Sequence, residues 1–390
     1  MNNSNKIKNP SMFLLWIGAS ISIAEIYTGS VIAPLGISKG LLAIILGHIL
    51  GTLLLSFGGY ISFSNKCTAM ESIHNSLGSL GAKIVSIINV MQLLGWSAIM
   101  IIQGGRAIGP ILSISYKTSL LIVSVIVIIW SYSFFNYSKK VNDICVISLI
   151  ILCIFMFSKI DLSKSIELRG NLNFTTALEL SIAMPVSWLP VIGDFTKNGT
   201  SKKGVLFSSF LGYFIGSTAM FMFGFFVTIF TGKDIVEFIS SIGILGGLVI
   251  LLSTVTTTFI DIYSAVISSK QIFEIKTENK YIILYSILAS IVAFIFPMEN
   301  YENFLLIIGS VFVPVYSVVF LNYLLRKVKS PKFHTIGIIS ALIGIGLFNY
   351  FNKISFGIPT LLTILCISII YISLIKIFNI RGVKNGQASI

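Results

Sequence analysis

Charge is what this sequence has least of. Only 11% of its 390 residues are Asp, Glu, Lys or Arg, whereas about a quarter is usual in a soluble domain. Cysteine is also sparse: Cys67, Cys145, Cys153 and Cys366 are scattered, with neither disulfide-framework nor zinc-site spacing. There is no H-E-x-x-H run to carry a catalytic metal. No Ser or Cys stands beside a plausible general base. These absences remove the usual hydrolase and metalloenzyme classes, and no catalytic residue or metal ligand is expected. Linkers are missing too, because the longest stretches between apolar runs are about 63–82, 159–173 and 269–280. No soluble domain is left over.

What is present is hydrophobic sequence, 55% of the chain. A membrane-spanning helix takes about 20 apolar residues. On that measure the chain reads as an all-α polytopic membrane protein with about twelve transmembrane helices. The expected spans are 11–35, 38–62, 83–112, 117–136, 141–158, 174–194, 203–231, 240–268, 281–297, 301–325, 333–350 and 355–379. The first apolar run lacks a clear small-residue cleavage site, so it reads as span 1 rather than a signal peptide. The net charge of +13 does not point to nucleic acid, since the basic residues fall in short loops instead of one stripe. They sort by side: with the N-terminus inside, nineteen Lys and Arg fall on the inner side and seven in outer loops, with Arg106 inside span 3. That bias places both termini in the cytoplasm of a cell-membrane protein.

Two spans are interrupted. Span 6 carries Pro185-Val-Ser-Trp-Leu-Pro190, and proline in a helix interior removes a backbone hydrogen bond. Span 1 is small and polar at its centre, around Ser20, Ser22, Glu25, Thr28 and Gly29. Freed backbone groups at membrane depth are tolerated only against protein or a wet cavity. Matching interruptions five spans apart indicate an inverted-repeat transporter with its site between the repeats. The expected division is 11–158 for the first repeat, 174–325 for the second and 333–379 for two extra helices.

Ionisable residues inside spans are costly and usually functional. Glu25, Arg106, Glu179 and Asp261 qualify. Glu25, Trp96 and Trp188 each lie roughly 20 Å from the starting face of their span, at about 1.5 Å per residue. Two indole planes are suited to sandwich a flat ring, with Ser187 and the carboxylates of Glu25 and Asp261 holding its polar edge. Glu25 has a second reading, as a structural carboxylate for free N–H groups of the broken span. Asp261 has one as a helix–helix hydrogen bond. Arg106 and Glu179, near the outer ends of spans 3 and 6, are expected to form an ion pair or gate. His48 reads as a packing residue. The threonines at 254 and 256–258 offer hydroxyl oxygens suited to a hard cation such as Na⁺.

The block Pro185-Val-Ser-Trp-Leu-Pro-Val-Ile-Gly-Asp-Phe-Thr196 resembles the sixth-span signature of the nucleobase:cation symporter-1 family. Gly95-Trp96 and Asp261-Ile-Tyr-Ser-Ala265 are similar to its third and eighth spans, and the resemblance covers essentially the whole chain. The stretch from Ala24 to His48 is similar to the branch described as hydroxymethylpyrimidine transporters. The resemblance implies a five-plus-five, LeuT-type inverted repeat with broken helices 1 and 6. It implies secondary active uptake of a heterocycle by alternating access, driven by Na⁺ or H⁺, with Trp96 and Trp188 stacking on the ring. It also implies sodium ligands near Ser22 in span 1 and at Thr256 and its neighbour Thr257 in span 8. Two departures stand out: Met100 replaces a frequent glutamine, and Asp261 replaces an amide. They favour an aminopyrimidine, above all hydroxymethylpyrimidine, a precursor of thiamine, over a cytosine- or purine-type permease. No cofactor is expected beyond bound Na⁺, and the expected partners are the heterocycle and the bilayer. An intramembrane enzyme is the competing class.

Overall fold

A computed structural model describes residues 6–136, 139–163, 165, 166, 168, 170, 172–295, 301–325 and 331–378. The helices are α1 (Asn9–Ser20), α2 (Ile23–Ile32), α3 (Ile37–Asn65), α4 (Ala69–Leu112), α5 (Tyr116–Asn136), α6 (Lys139–Phe157) and α7 (Phe174–Val186). They continue with α8 (Leu189–Thr196), α9 (Lys202–Thr231), α10 (Ile235–Ser241), α11 (Ile244–Ser269), α12 (Glu278–Ile295), α13 (Tyr301–Leu325), α14 (Pro331–Lys353) and α15 (Pro359–Ile377). Among the described residues ten spans are long and apolar enough to cross a membrane, with α7 and α8 counted as one. The bent pair α1–α2 adds an eleventh, and the shorter apolar segment Asp143–Phe157 of α6 occupies the remaining position. That agrees with about twelve. Of the basic residues used for orientation, Lys164, Arg169, Arg326, Lys327, Lys329, Arg381 and Lys384 lie outside the described residues.

The helices sort into two packed groups and a flank. One group joins α1, α2, α3, α7 and α9, and the other joins α4, α5, α11 and α12. The flank is α13–α15. Small residues set the first group's spacing, as expected where helices associate by close packing rather than by a hydrophobic drive. A Cβ at Gly47 would lie 2.4 Å from Ser181 Cβ, and one at Gly51 would lie 2.4 Å from Pro185 Cγ. These glycines let α3 lie against α7.

Three local expectations change. The stretch 63–82, expected only as a piece between spans, is largely helical: Ala69–Leu77 is an arm of α4, started by a capping box between Thr68 and Glu71 and ended at Gly78 with φ 70°. A positive φ there turns the chain into the span, and glycine takes that conformation without a Cβ penalty. Span 8 begins at Ile244, after the separate short helix α10. The two interruptions are also unequal. Between α1 and α2 the chain is extended at Ile21 and Ser22 and bends by 58°. Between α7 and α8, Ser187 and Trp188 keep right-handed helical dihedrals, so that span stays within 40° of straight. Proline removes a hydrogen bond but tolerates helical φ, which is why the second break is gentle.

Candidate functional site

The break in span 1 makes a helix start in mid-protein. Ser22 caps it: its Oγ accepts from Glu25 N at 3.2 Å. The break in span 6 frees the carbonyl of Ser187, since Val191 N donates to Trp188 O instead. Gln92 Nε2 donates to that carbonyl at 3.3 Å, and Asn89 Nδ2 donates to Pro190 O at 3.3 Å and to Ser268 Oγ at 2.8 Å. Unpaired carbonyls in a dry interior are expensive, so Gln92 satisfies the carbonyl that the break frees, and Asn89 ties α4 to the first turn of α8. Sequence reasoning missed both, although their i, i+3 spacing on one helix face was a usable signal.

Between the breaks lies a cavity of about 240 Å³ lined by Ser22, Ala24, Glu25, Trp96, Met100, Met184, Trp188, Thr257 and Asp261. It sits where the two helix groups meet. It is a narrow slot between the two helix groups. Ser22, Glu25, Trp96, Trp188, Thr257 and Asp261 are thus brought together as expected. Trp188 is braced edge-on by Trp16 at 6.1 Å between centroids and by Tyr213 at 6.3 Å. Trp96 is braced by Phe304 at 5.3 Å. Fixed rings lose little freedom when a ligand stacks on them.

The two carboxylates differ sharply. Asp261 is 1% exposed, and its Oδ2 has no hydrogen-bond partner. A buried polar atom left unpaired costs about 1–3 kcal/mol, and this one belongs to a residue that lines the slot. Glu25 is 1% exposed but fully engaged. Tyr213 Oη donates to its Oε1 at 2.7 Å, and Ser217 Oγ lies 2.6 Å from its Oε2. His48 Nε2 lies 2.7 Å from Ser217 Oγ and its Nδ1 2.8 Å from Ile44 O. His48 is therefore part of a polar chain and not a packing residue. Tyr213 and Ser217 were also missed; their i, i+4 spacing puts both on one face of α9.

The remaining expectations are corrected. The Ser187 hydroxyl donates to Met184 O at 2.6 Å, and Ser187 does not line the slot. Serine at a helix end satisfies its own turn before it reaches for a ligand. Thr256 likewise donates to Leu252 O at 2.8 Å and is not a lining residue, whereas the buried Oγ1 of Thr257 has no partner. Arg106 and Glu179 do not pair. Arg106 is exposed beside Gly109, Pro110 and Tyr116. Glu179 is buried and accepts from Thr360 N and Oγ1 at the start of α15. A helix N-terminus supplies free N–H donors and a favourable dipole for a carboxylate, so α15 takes the role expected of Arg106.

No family model matches the chain. It is 23% identical over 349 residues to a cytosine permease of Escherichia coli O157:H7, across 83% of this chain and 80% of that protein. In structure it is similar to a nucleobase-cation-symport-1 family transporter in a closed conformation with bromovinylhydantoin bound. That likeness has TM-score 0.78 and 14% identity, over 98% of this chain and 97% of the other. It is also similar to a Na⁺-coupled sialic acid symporter in a substrate-bound outward-open state, with TM-score 0.70 and 12% identity over 97% and 92% of the two chains.

Proposed function

We propose a substrate and a driving ion for a chain that is, by these likenesses, a multi-pass membrane transporter with the five-plus-five nucleobase:cation symporter-1 fold and a cytosine permease-like sequence. It imports a small aminopyrimidine, hydroxymethylpyrimidine being the preferred member, by alternating access coupled to Na⁺ or H⁺. The carrying observation is the Asp261 carboxyl, with Oδ2 unpartnered, in the wall of a slot flanked by two braced tryptophans. A carboxylate offers only acceptors, and an aminopyrimidine offers an amine donor beside a protonatable ring nitrogen. The ring lies between Trp96 and Trp188, its amine edge on Asp261. Both chain ends face the cytoplasm, and residues 11–158 and 174–325 act as the two repeats that rock about the site.

Cytosine is the second reading, favoured by the relative's name. It shares the amine edge and differs in carrying a ring carbonyl. Counterflow in proteoliposomes separates the readings: label loaded as hydroxymethylpyrimidine should exchange unmodified, with cytosine competing weakly. Exchange with cytosine alone reverses the assignment, and no exchange with either overturns it.

Trp188→Ala and Trp96→Ala are each expected to weaken aminopyrimidine binding by about 1–3 kcal/mol, the scale of base stacking on aromatic side chains. Phenylalanine at either position should cost much less. Calorimetry on purified protein measures this, and affinities within twofold of wild type for both alanine variants would remove the sandwich.

The driving-ion half of the proposal rests on the hydroxyls at the inner wall. Na⁺ is a hard cation that takes oxygen ligands. Thr257 Oγ1 is buried and unpaired, and Thr257 lines the slot together with Ser22. Thr257→Val should raise the Na⁺ needed for half-maximal uptake steeply and leave uptake at saturating Na⁺ largely intact. Uptake by wild type that ignores Na⁺ and follows a pH gradient assigns the drive to protons.

A further inference from the structure

The proton count around Glu25 does not balance unless the protein holds an extra proton there. His48 Nδ1 lies 2.8 Å from Ile44 O, a carbonyl that can only accept, so Nδ1 carries a hydrogen. Nε2 lies 2.7 Å from Ser217 Oγ, and that oxygen lies 2.6 Å from Glu25 Oε2. These two contacts need two hydrogens, and a serine hydroxyl has one. The other sits on Nε2, giving an imidazolium facing an ionised Glu25, or on Oε2, giving a carboxylic acid facing a neutral imidazole. With both groups deprotonated, one contact opposes two lone pairs in a region where Glu25, His48 and Ser217 are all at most 1% exposed. Burial of such an unmade hydrogen bond is unfavourable.

We propose that Glu25, Ser217 and His48 form a site for one exchangeable proton, and that its occupancy sets the charge of the substrate slot. A concerted shift along the two hydrogen bonds moves the proton: Nε2–H passes its hydrogen to Ser217 Oγ as the serine hydrogen passes to Glu25 Oε2, and no heavy atom moves. Tyr213 donates to Oε1 in either arrangement, at 2.7 Å. The neighbourhood has few other titratable groups. From α9 the carboxylate meets Tyr213, from α3 it meets His48 through Ser217, and α11 presents Asp261 across the slot. The lining residues of α4 and α7 are Trp96, Met100 and Met184, and no Lys or Arg lines the slot. An edge-on Phe221 ring at 4.4 Å closes one side of His48. With the proton held, the trio is neutral overall. With the proton released, Glu25 brings one net negative charge to the wall of the slot.

The consequence deepens the aminopyrimidine reading and in its second part rests on it. A ring that arrives carrying its own proton is favoured by the released state, and a neutral ring by the occupied state. Binding is therefore linked to proton uptake or release.

The test begins without substrate. Infrared difference spectra of the purified full chain follow the carboxyl stretch assigned by Glu25→Gln. Nitrogen NMR follows the His48 ring, assigned among the three histidines by His48→Gln. In wild type both signals should change together at one midpoint in the range where histidine titrates. In Ser217→Ala, which deletes only the connecting hydroxyl, they should separate by at least about tenfold in proton affinity. Independent midpoints in wild type, an unchanged midpoint in Ser217→Ala, or a carboxyl that never titrates overturns the shared site. The second arm measures hydroxymethylpyrimidine binding by calorimetry in two buffers of different ionisation heat. A proton exchanged in wild type and lost in Ser217→Ala supports the linkage, and observed binding heats that are equal in the two buffers for wild type overturn it. Joint titration with no aminopyrimidine binding would instead leave the proton site standing and remove the substrate reading.

Discussion

Gly224→Ala is expected to abolish a stable fold or to destabilise it by at least about 3 kcal/mol, beyond the usual range for an overpacked core. A Cβ at Gly224 would stand 1.8 Å from Ile26 O, and one at Gly29 would stand 2.0 Å from Phe221 O. The two glycines interlock α2 and α9 backbone to backbone, so no flexible side chain can yield and the helices must separate. Separation would also pull Glu25, one turn from Gly29, away from Tyr213 and Ser217. Gly346→Ala serves as the comparison, because nothing lies within 4 Å of its added carbon. Alanine in a helix interior is favoured over glycine by about 0.5–1 kcal/mol, so this change should be neutral or slightly stabilising. Thermal unfolding in detergent compares the two. Equal melting behaviour would show that α2 and α9 are not in backbone contact.

Asp261→Asn is expected to change what the slot selects. Wild type should prefer hydroxymethylpyrimidine over uracil by about tenfold or more, because a carbonyl oxygen facing a carboxylate leaves a buried group unpaired at about 1–3 kcal/mol. An amide donates as well as accepts, so asparagine should admit carbonyl-bearing rings and shrink the ratio. Competition binding with both rings gives the ratio directly. Glu25→Gln is the companion: with both its oxygens committed to Tyr213 and Ser217, it should alter the ratio less than Asp261→Asn. Uracil bound as tightly as the aminopyrimidine by wild type, or a ratio untouched by Asp261→Asn, would remove Asp261 as the reader of the ring edge.

Much of this protein was legible before any coordinates. Hydropathy marks spans because each must be apolar along its own length, and that property is local. Scarce carboxylates and tryptophans inside apolar runs stand out for the same reason, which is how Trp96, Trp188, Glu25 and Asp261 could be named together. Proline and a small polar stretch marked the two breaks, since both act on the chain within a turn of themselves. Local rules were weaker on degree. They gave equal standing to two interruptions of which only one bends by 58°.

The sequence by itself determined that this chain spans a membrane as helices, where its helices break, and which unusual side chains lie at the depth of the breaks. Only the tertiary structure decided which polar groups pair. Glu25 is held by Tyr213 and Ser217, 188 and 192 residues further along the chain, and Glu179 by Thr360, 181 residues on, instead of by Arg106. A buried carboxyl is stabilised by donors, but which donors it finds depends on how neighbouring helices are rotated and how closely they pack. Here that is set by glycines whose partners lie on other helices. Asp261 is left without a partner on Oδ2 by the same packing, and that vacancy for a donor is the property on which the substrate assignment rests.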